Sequence, residues 1–186
     1  MIDIKDNDII DSIKRGNVSD FTLLIDKYKN RAFSLLRRML KDEMEAEDVL
    51  QESFIKAYYA LPGFQYKSKF STWFYRIVYN SALTKLASKK RNIEKGMSSL
   101  EEELNLTYVD TSDDDKELKV WINKMIEQLP AKYSAVINFF YNDDLSCEEI
   151  GEVMGTSVSN VKVILHRART ALKDMMIKNK STEEIL

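Results

Sequence analysis

Apolar residues recur along this chain at spacings of three and four, the period of helices with one buried face. Ile9, Ile10 and Ile13 mark a short helix from Asp8 to Arg15, stopped at Gly16, a residue suited to the left-handed turn that ends a helix. Ser19 is placed to cap a longer helix with Phe21, Leu24, Ile25, Tyr28, Ala32, Leu35, Leu36 and Met39 on one face. A third helix is expected from Glu45 to Ala60, ahead of the Pro62-Gly63 turn signal, with Val49, Leu50, Phe54, Ala57 and then Leu61 inward. Ser71 would cap a fourth, Thr72 to about Lys90. Its buried side takes Trp73, Ile77, Ala82, Leu83 and Leu86, leaving Phe74, Arg76, Asn80, Lys85 and Lys89 nearer the surface. Periodicity lapses from Asn92 to Asp115, apart from a helical turn expected around Leu100 to Leu104. It resumes with Leu118, Trp121, Ile122, Met125, Ile126 and Leu129, and Pro130 breaks that helix. Another, Ala131 to Tyr141, carries Val136, Ile137, Phe139 and Phe140. With five Gly and two Pro in 186 residues, the pattern reads as all-α. It divides into two small helical domains, 1–92 and 117–180, joined by an acidic linker at 93–116.

Composition narrows the class. Hydrophobic residues at 44% suffice for packed cores. The single cysteine, Cys147, excludes an intramolecular disulfide and a cysteine zinc cluster. The start, MIDIKDNDII, lacks the positive-then-apolar organisation of a signal, and no apolar run approaches the roughly 20 residues that cross a bilayer. The chain is therefore expected in the cytosol, without membrane insertion. A net charge of -2 argues against a nucleic-acid partner only until its distribution is read. Phe64 to Lys95 holds eight Lys or Arg against one acid, whereas Glu101 to Glu117 holds eight acids against one base. The basic block asks for a local anionic partner, and the acidic block reads as a solvated spacer.

In the basic block, Phe64, Tyr66, Phe70, Trp73, Phe74, Tyr75 and Tyr79 interleave with Lys67, Lys69, Arg76, Lys85, Lys89, Lys90 and Arg91. Rings stack on unpaired bases while cations track phosphates, the chemistry that single-stranded nucleic acid requires. The opposing reading makes the rings core and the lysines a solvated face. The outward face of the third helix, Glu45, Asp48, Gln51, Glu52 and Lys56, is likewise open to two readings. It is a solvated surface or a dock for a basic helix of a partner.

Leu145 to Lys173 reads as a helix-turn-helix. Ser146 and Glu149 form a capping box and Leu145 with Ile150 the hydrophobic staple around it. Gly151 stands where two helices cross, Gly155 ends the first helix and Ser157 caps the second, whose inward stripe is Val161, Leu165, Ala168 and Leu172. Ser159, Asn160, Lys162, Val163, His166, Arg167 and Arg169 lie on its other faces, where such a helix offers side chains to a DNA major groove. Cys147 is a DNA-facing side chain or merely a small residue. His166, alone among arginines, is not a metal-site candidate.

In their order, the stretches AEDVLQESFIKAYYALPGF, KFSTWFYRIVYNSALTKL, an acidic linker and LPAKYSAVINFFYNDDLSCEEIGEVMGTSVSNVKVILHRARTAL resemble the extracytoplasmic-function group of bacterial sigma factors, from about Gly16 to Lys173. The resemblance implies that Asp48, Gln51, Glu52 and Phe54 dock on core RNA polymerase. It also implies that the Phe64–Tyr79 stretch reads and opens the minus-ten element, with Phe64, Lys67, Lys69, Phe70, Trp73, Arg76 and Asn80 on single-stranded promoter DNA. Among these, Trp73 and Ile77 would hold the helix in place, while Phe64, Phe70, Asn80 and the lysines capture a flipped base. Unstacking costs a few kcal/mol, and stacking returns about 1 to 3 kcal/mol per base, so melting without ATP is energetically reasonable. The helix-turn-helix would bind the minus-thirty-five duplex through Cys147, Ser159, Asn160, Lys162, Val163, His166 and Arg167, and touch the polymerase flap. Val163 and Ile164 replace a small polar residue and an arginine common in relatives, and either contact a thymine methyl or pack internally. A dedicated anti-sigma factor is a further partner that the resemblance suggests.

The resemblance implies a promoter-specificity subunit, not an enzyme, with no cofactor. A free-standing dimeric helix-turn-helix regulator would leave the basic aromatic helix unexplained. A metal-dependent nuclease would need a convergent carboxylate pair that the sequence does not offer.

Overall fold

The apolar stripes fold into helices. In the computed structural model, which describes residues 5–94 and 114–183, these are α1 (Asp6–Lys14), α2 (Phe21–Leu40), α3 (Glu43–Ala60), α4 (Phe70–Glu94), α5 (Asp114–Gln128), α6 (Ala131–Tyr141), α7 (Cys147–Met154) and α8 (Val158–Glu183), with no strand among the described residues. Ile10, Leu24, Leu35, Leu36, Ala57 and Phe74 are sealed inside the first half. Its rings pack closely: Phe54 stacks on Phe74 at 4.7 Å between centroids, Phe70 on Phe74 at 5.9 Å, and Tyr28 meets Phe70 edge-on at 5.4 Å. Such pairs add about 0.5–1.5 kcal/mol each beyond the area they bury. In the second half, α5 to α8 close over Leu129, Val136, Phe139, Ile150, Val161 and Ala168.

Helix α1 begins at Asp6 rather than Asp8, and three further helix starts differ from expectation, each for a local reason. Ser19 does not cap α2. It lies in a 3-10 turn, Val18–Asp20, that runs straight into the helix, and its carbonyl accepts from the Thr22 hydroxyl at 2.7 Å. Helix α3 begins at Glu43 rather than Glu45 because Asp42, in extended conformation, accepts from the Glu45 N–H at 2.8 Å. Helix α4 begins at Phe70, with Ser71 already inside it, because the buried Phe70 ring draws the chain into the core and the Lys69 carbonyl takes the Trp73 N–H at 3.1 Å.

Helix α4 is also turned relative to the expected stripe. It packs on α2 and α3 with one side and on α7 with another. Two rows are thereby buried: Phe70, Phe74, Val78 and Ala82, and beside them Tyr75 and Tyr79. Phe74, expected near the surface, is wholly buried. Trp73 and Ile77, expected inside, lie half-buried at its margin, and Leu83 is exposed. The expected linker 93–116 loses its ends to helix, residues 93–94 to α4 and 114–116 to α5. Its remainder, with the turn at Leu100 to Leu104, lies outside the described residues.

The helix-turn-helix forms as the sequence indicates. Ser146 Oγ accepts from the Glu149 N–H at 3.2 Å and Glu149 Oε2 from the Ser146 N–H at 2.9 Å, with Leu145 and Ile150 both buried beside them. Gly155, at φ 63°, closes α7 and Ser157 Oγ opens α8 by accepting from the Asn160 N–H at 3.2 Å. A Cβ on Gly151 would stand 2.9 Å from the Thr156 carbonyl oxygen, which fixes the choice of residue where the two helices cross.

The halves meet over a buried polar relay. The Arg38 guanidinium of α2 donates to Asn138 Oδ1 of α6, and to Asn123 Oδ1 of α5 at 2.8 Å. Asn138 Nδ2 donates to Asp143 Oδ2 at 2.7 Å, while the Tyr75 hydroxyl of α4 donates to Asp143 Oδ1 at 2.7 Å. Phe139 fills the adjoining space, its ring centroid 5.7 Å from that of Tyr75 and 6.1 Å from that of Tyr79. Burial pushes the Asp143 carboxyl up to about 6, against the opposing pull of Tyr75, Arg31, Asn138 and Arg38.

Two outcomes are expected. Gly151→Ala should destabilise the chain in urea by about 1–3 kcal/mol, the range for forcing extra volume into a packed site. Gly63→Ala, with nothing within 4 Å, should not. The native chain retains a proton on Asp143 that the unfolded chain releases between the ordinary 3.8 and about 6, so this carboxyl's contribution to stability falls as pH rises through that window. Asp143→Asn, which cannot ionise, should gain stability relative to the parent as pH rises from about 4 to 6, measured by denaturation at each pH.

Candidate nucleic-acid interface

The margin position of Trp73 arises from the wide burial of α4 and creates a face. Lys69, Trp73, Arg76 and Asn80 follow one another at spacings of four, three and four, so they form a single stripe along the helix and its entry. Lys69, Arg76 and Asn80 are exposed and Trp73 is half-buried, giving two cations, an indole and an amide on one surface. Lys67 is exposed on the loop before it.

Phe64 and Phe70 do not lie on that surface. They are 5% and 2% exposed, with centroids 5.2 and 5.6 Å from the Trp73 indole, and so form its floor. The expectation that these rings stand free while Trp73 anchors the helix is therefore reversed. A loop of this length leaves Phe64 no route to solvent once Leu61 is buried and the Phe64 N–H donates to the Leu61 carbonyl at 3.0 Å.

Sequence reasoning assigned α1 no role, yet α1 holds this loop. Lys14 Nζ donates to the Phe64 carbonyl at 2.6 Å and stands 4.5 Å over the Tyr66 ring, and the Tyr66 hydroxyl donates to Asp11. Tyr66 adopts φ 57°, a left-handed conformation that these contacts sustain. Its ring is partly exposed beside the stripe. No spacing rule links Asp11 and Lys14 to position 66, so this support became visible only in the fold.

On α3, Asp48, Gln51 and Glu52 are exposed as expected, but Phe54 is 8% exposed and packs edge-on to Phe21 and face-on to Phe74. It belongs to the core, because position 54 lies on the same inward stripe as Ala57 and Leu61. The outward face instead carries Met44, Ile55 and Tyr59, respectively 79%, 57% and 77% exposed. The spacing 44, 48, 51/52, 55 and 59 puts them in line with the acids, a signal that was present in the sequence. The surface is a mixed acidic and apolar stripe, not simply a charged one.

On α8, Ser159, Asn160, Lys162, Val163, His166 and Arg167 are all exposed on the first turns, while Cys147 is half-buried at the start of α7. Asn160 Nδ2 donates to Thr156 Oγ1 at 2.7 Å, which ties this amide to the turn. Of the two positions left open, Val163 is 45% exposed and Ile164 packs internally at 5% exposure. The two faces adjoin. Lys69 Nζ pairs with Glu149 Oε1 of the capping box at 2.9 Å. Burial works against the Glu149 carboxylate, but the Ser146 N–H and Lys69 outweigh it and hold its pKa below the ordinary value.

A groove of about 660 Å³ opens between α5, α6 and α8, with Ile122, Ile126 and Leu172 in its lining and Lys119, Arg169 and Lys173 among its cations. Among the described residues no helix is long and apolar enough to cross a membrane.

Comparison with known proteins follows the same division. Residues 24–92 match the family model for sigma-70 region 2, and residues 119–172 that for sigma-70 region 4. The chain is 34% identical to the ECF RNA polymerase sigma factor SigW of Bacillus subtilis, over 90% of this chain and 94% of that protein. It is 32% identical to the RNA polymerase sigma-H factor of Pseudomonas aeruginosa, over 90% and 92%. Among solved structures, the sigma factor RpoE of Bartonella quintana, determined with the anti-sigma factor NepR, aligns with a TM-score of 0.71 at 18% identity, over 84% of this chain and 96% of that one. CnrH, determined with the cytosolic domain of CnrY, aligns at 0.65 and 20% identity, over 93% and 97%. At these identities the structural matches establish the fold.

Proposed function

Since the chain belongs to the extracytoplasmic-function sigma factors of the sigma-70 family and serves transcription initiation, we propose that it binds core RNA polymerase and captures the opened non-template strand of the minus-ten element while reading the minus-thirty-five element as duplex. The observation that carries this reading is the stripe of Lys69, Trp73, Arg76 and Asn80, with Lys67 and Tyr66 beside it. A partly exposed indole between cations offers a stacking platform flanked by phosphate-pairing charge, as single-strand binding requires. Phe64 and Phe70 act from beneath by fixing the indole, and the Asn80 amide supplies hydrogen bonds to a base edge.

The acidic and apolar stripe of α3, with Asp48, Gln51, Glu52, Ile55 and Tyr59, is the polymerase dock. Carboxylates steer encounter with a basic partner helix, and the apolar residues supply the desolvated centre that contact energy requires. The exposed first turns of α8 enter the upstream major groove. Lys162 and Arg167 serve phosphates or guanine edges there, and Val163 offers its methyls to thymine. The groove between α5, α6 and α8, apolar with a basic rim, suits a helix of the polymerase flap. Residues 1–92 and 117–180 are the two working domains, with 93–116 connecting them, and the chain acts in the cytoplasm on the polymerase without catalysing a reaction of its own. A structural neighbour was solved with an anti-sigma factor, and an equivalent inhibitory partner is part of this reading.

The test is reconstituted initiation on fragments of the source genome with core polymerase and mapped starts. The chain should direct initiation from a discrete promoter set with unpaired non-template bases at the minus-ten element. No initiation from any fragment would refute the proposal. Trp73→Ala should reduce open-complex formation roughly 5- to 150-fold, the loss of about 1 to 3 kcal/mol of stacking, with polymerase affinity unchanged. Asp48→Lys with Gln51→Ala should weaken polymerase binding instead and leave helicity intact, since both residues are exposed. Lys162→Ala with Arg167→Ala should weaken upstream duplex binding and flatten its log-log salt dependence by about two units. An unaltered slope would remove both from phosphate contact.

A further inference from the structure

Tyr66 is a bulky residue in a conformation that glycine would adopt freely. Its φ of 57° lies in the left-handed region, where a Cβ is crowded by the backbone. A loop that needed only the turn would be better served by glycine, so what tyrosine adds at this position is its ring. Three contacts hold that ring. Its hydroxyl donates to Asp11 Oδ1, Lys14 Nζ stands 4.5 Å over its face, and the Phe64 ring lies against it at 5.0 Å and 54°. Lys14 also donates to the Phe64 carbonyl at 2.6 Å, so one ammonium fixes both the start of the loop and the ring two residues on.

The held ring shares a floor with the indole of the strand-reading stripe. Phe64, itself buried, meets Tyr66 at 5.0 Å and Trp73 at 5.2 Å between centroids, so both partly exposed rings rest on one phenyl. A loop ring that moved freely would have to be ordered each time a base is bound. A ring fixed beforehand escapes that loss, and the difference appears directly in affinity. The charge of Asp11 points the same way. A carboxylate beside a surface that binds a polyanion opposes the ligand, so its place there is explained by the hydroxyl it holds.

We propose that Asp11 and Lys14 of α1 are positioning residues for strand capture: they preset Tyr66 as a second outward ring beside Trp73, and Tyr66 contacts the bases of the opened strand. The functional part of this statement rests on the strand-capture reading above. The fixing of Tyr66 belongs to the chain alone and is measured without polymerase or DNA, so failure of that reading and failure of the clamp are separately visible.

The experiment compares the whole chain with its variants Asp11→Ala, Asp11→Asn, Lys14→Met, Tyr66→Phe and the pair Asp11→Ala with Tyr66→Phe, each checked for helicity by circular dichroism. In the chain alone, 3-fluorotyrosine placed at position 66 reports the ring. Its fluorine resonance should stand apart from that of the unfolded chain in the parent and in Asp11→Asn, whose amide oxygen still accepts from the hydroxyl. It should move toward the unfolded position in Asp11→Ala and in Lys14→Met, which keeps the stem and loses the ammonium. In the complex with core polymerase, open-complex formation is followed on a promoter fragment from the initiation assay. Asp11→Ala should lower it roughly 3- to 10-fold, the net effect of one hydrogen bond, with polymerase affinity unchanged, and Asp11→Asn should retain it. Tyr66→Phe should fall by a similar factor, and adding Asp11→Ala to it should lower it no further. Charge alone predicts the opposite sign, since removing an acid from a DNA-binding face favours binding. A resonance unmoved by Asp11→Ala or by Lys14→Met would overturn the proposal. So would open-complex formation that Asp11→Ala leaves unchanged or raises, or a loss from Asp11→Ala that persists at full size in Tyr66→Phe. Absence of opening by the parent would refute the strand-capture reading and the functional part with it, while the resonance still decides whether Tyr66 is held.

Discussion

The cost of leaving a buried charge unpaired organises the meeting of the two halves. Arg38 is 6% exposed and Asp143 8%, and each is tolerable there only because Asn138 stands between them and Tyr75 and Asn123 complete their bonds. Truncating one partner of such a group costs more than the pair contributes, since the survivor remains dehydrated. The relay therefore acts mainly to specify position. It places α6 on α2 and α7 on α4, and the latter contact buries the second side of α4.

That second buried side decides which residues are left for binding. A helix covered on one flank would have exposed Tyr75 and Tyr79. Covered on two, the first half of α4 keeps the narrow strip of Trp73, Arg76 and Asn80 toward the surface, with Lys69 at its entry. The rings are thus divided by burial: Phe64, Phe70 and Phe74 lie in the core, and Trp73 with Tyr66 lies toward the surface. The support reaches back to α1, where Lys14 and Asp11 hold the loop conformation that keeps Tyr66 beside the stripe.

Local chemistry was legible in the helix-turn-helix, although the equally local starts of α2 and α3 were not. The capping box at Ser146 and Glu149, the stop at Gly155 and the cap at Ser157 each involve neighbours within a few residues, and all formed as read. The inward stripes of α2 and α3 were equally plain, because each buries a single face. Reading failed where distant elements intervened. The orientation of α4 depends on α7 and on Phe139, about 60 residues away in sequence, so Phe74 and Trp73 exchanged the roles expected of them. Phe54 was placed inward by its spacing and on the docking face by the family resemblance, and the fold follows the spacing. The relay itself was invisible, since Arg38, Tyr75, Asn138 and Asp143 form no pattern until the chain folds.

The central claim is that one chain presents a strand reader on α4 and a duplex reader on α8 that act on separate promoter elements. It is tested most directly by placing a photo-crosslinking amino acid at Trp73 and, separately, at Lys162, and mapping the DNA positions reached in polymerase-promoter complexes. The account predicts crosslinks from position 73 to the non-template strand of the opened segment, and from position 162 to duplex about 25 base pairs upstream, some 85 Å away along B-form DNA. Crosslinks from both positions to the same few base pairs, or from position 73 to paired DNA alone, would contradict it.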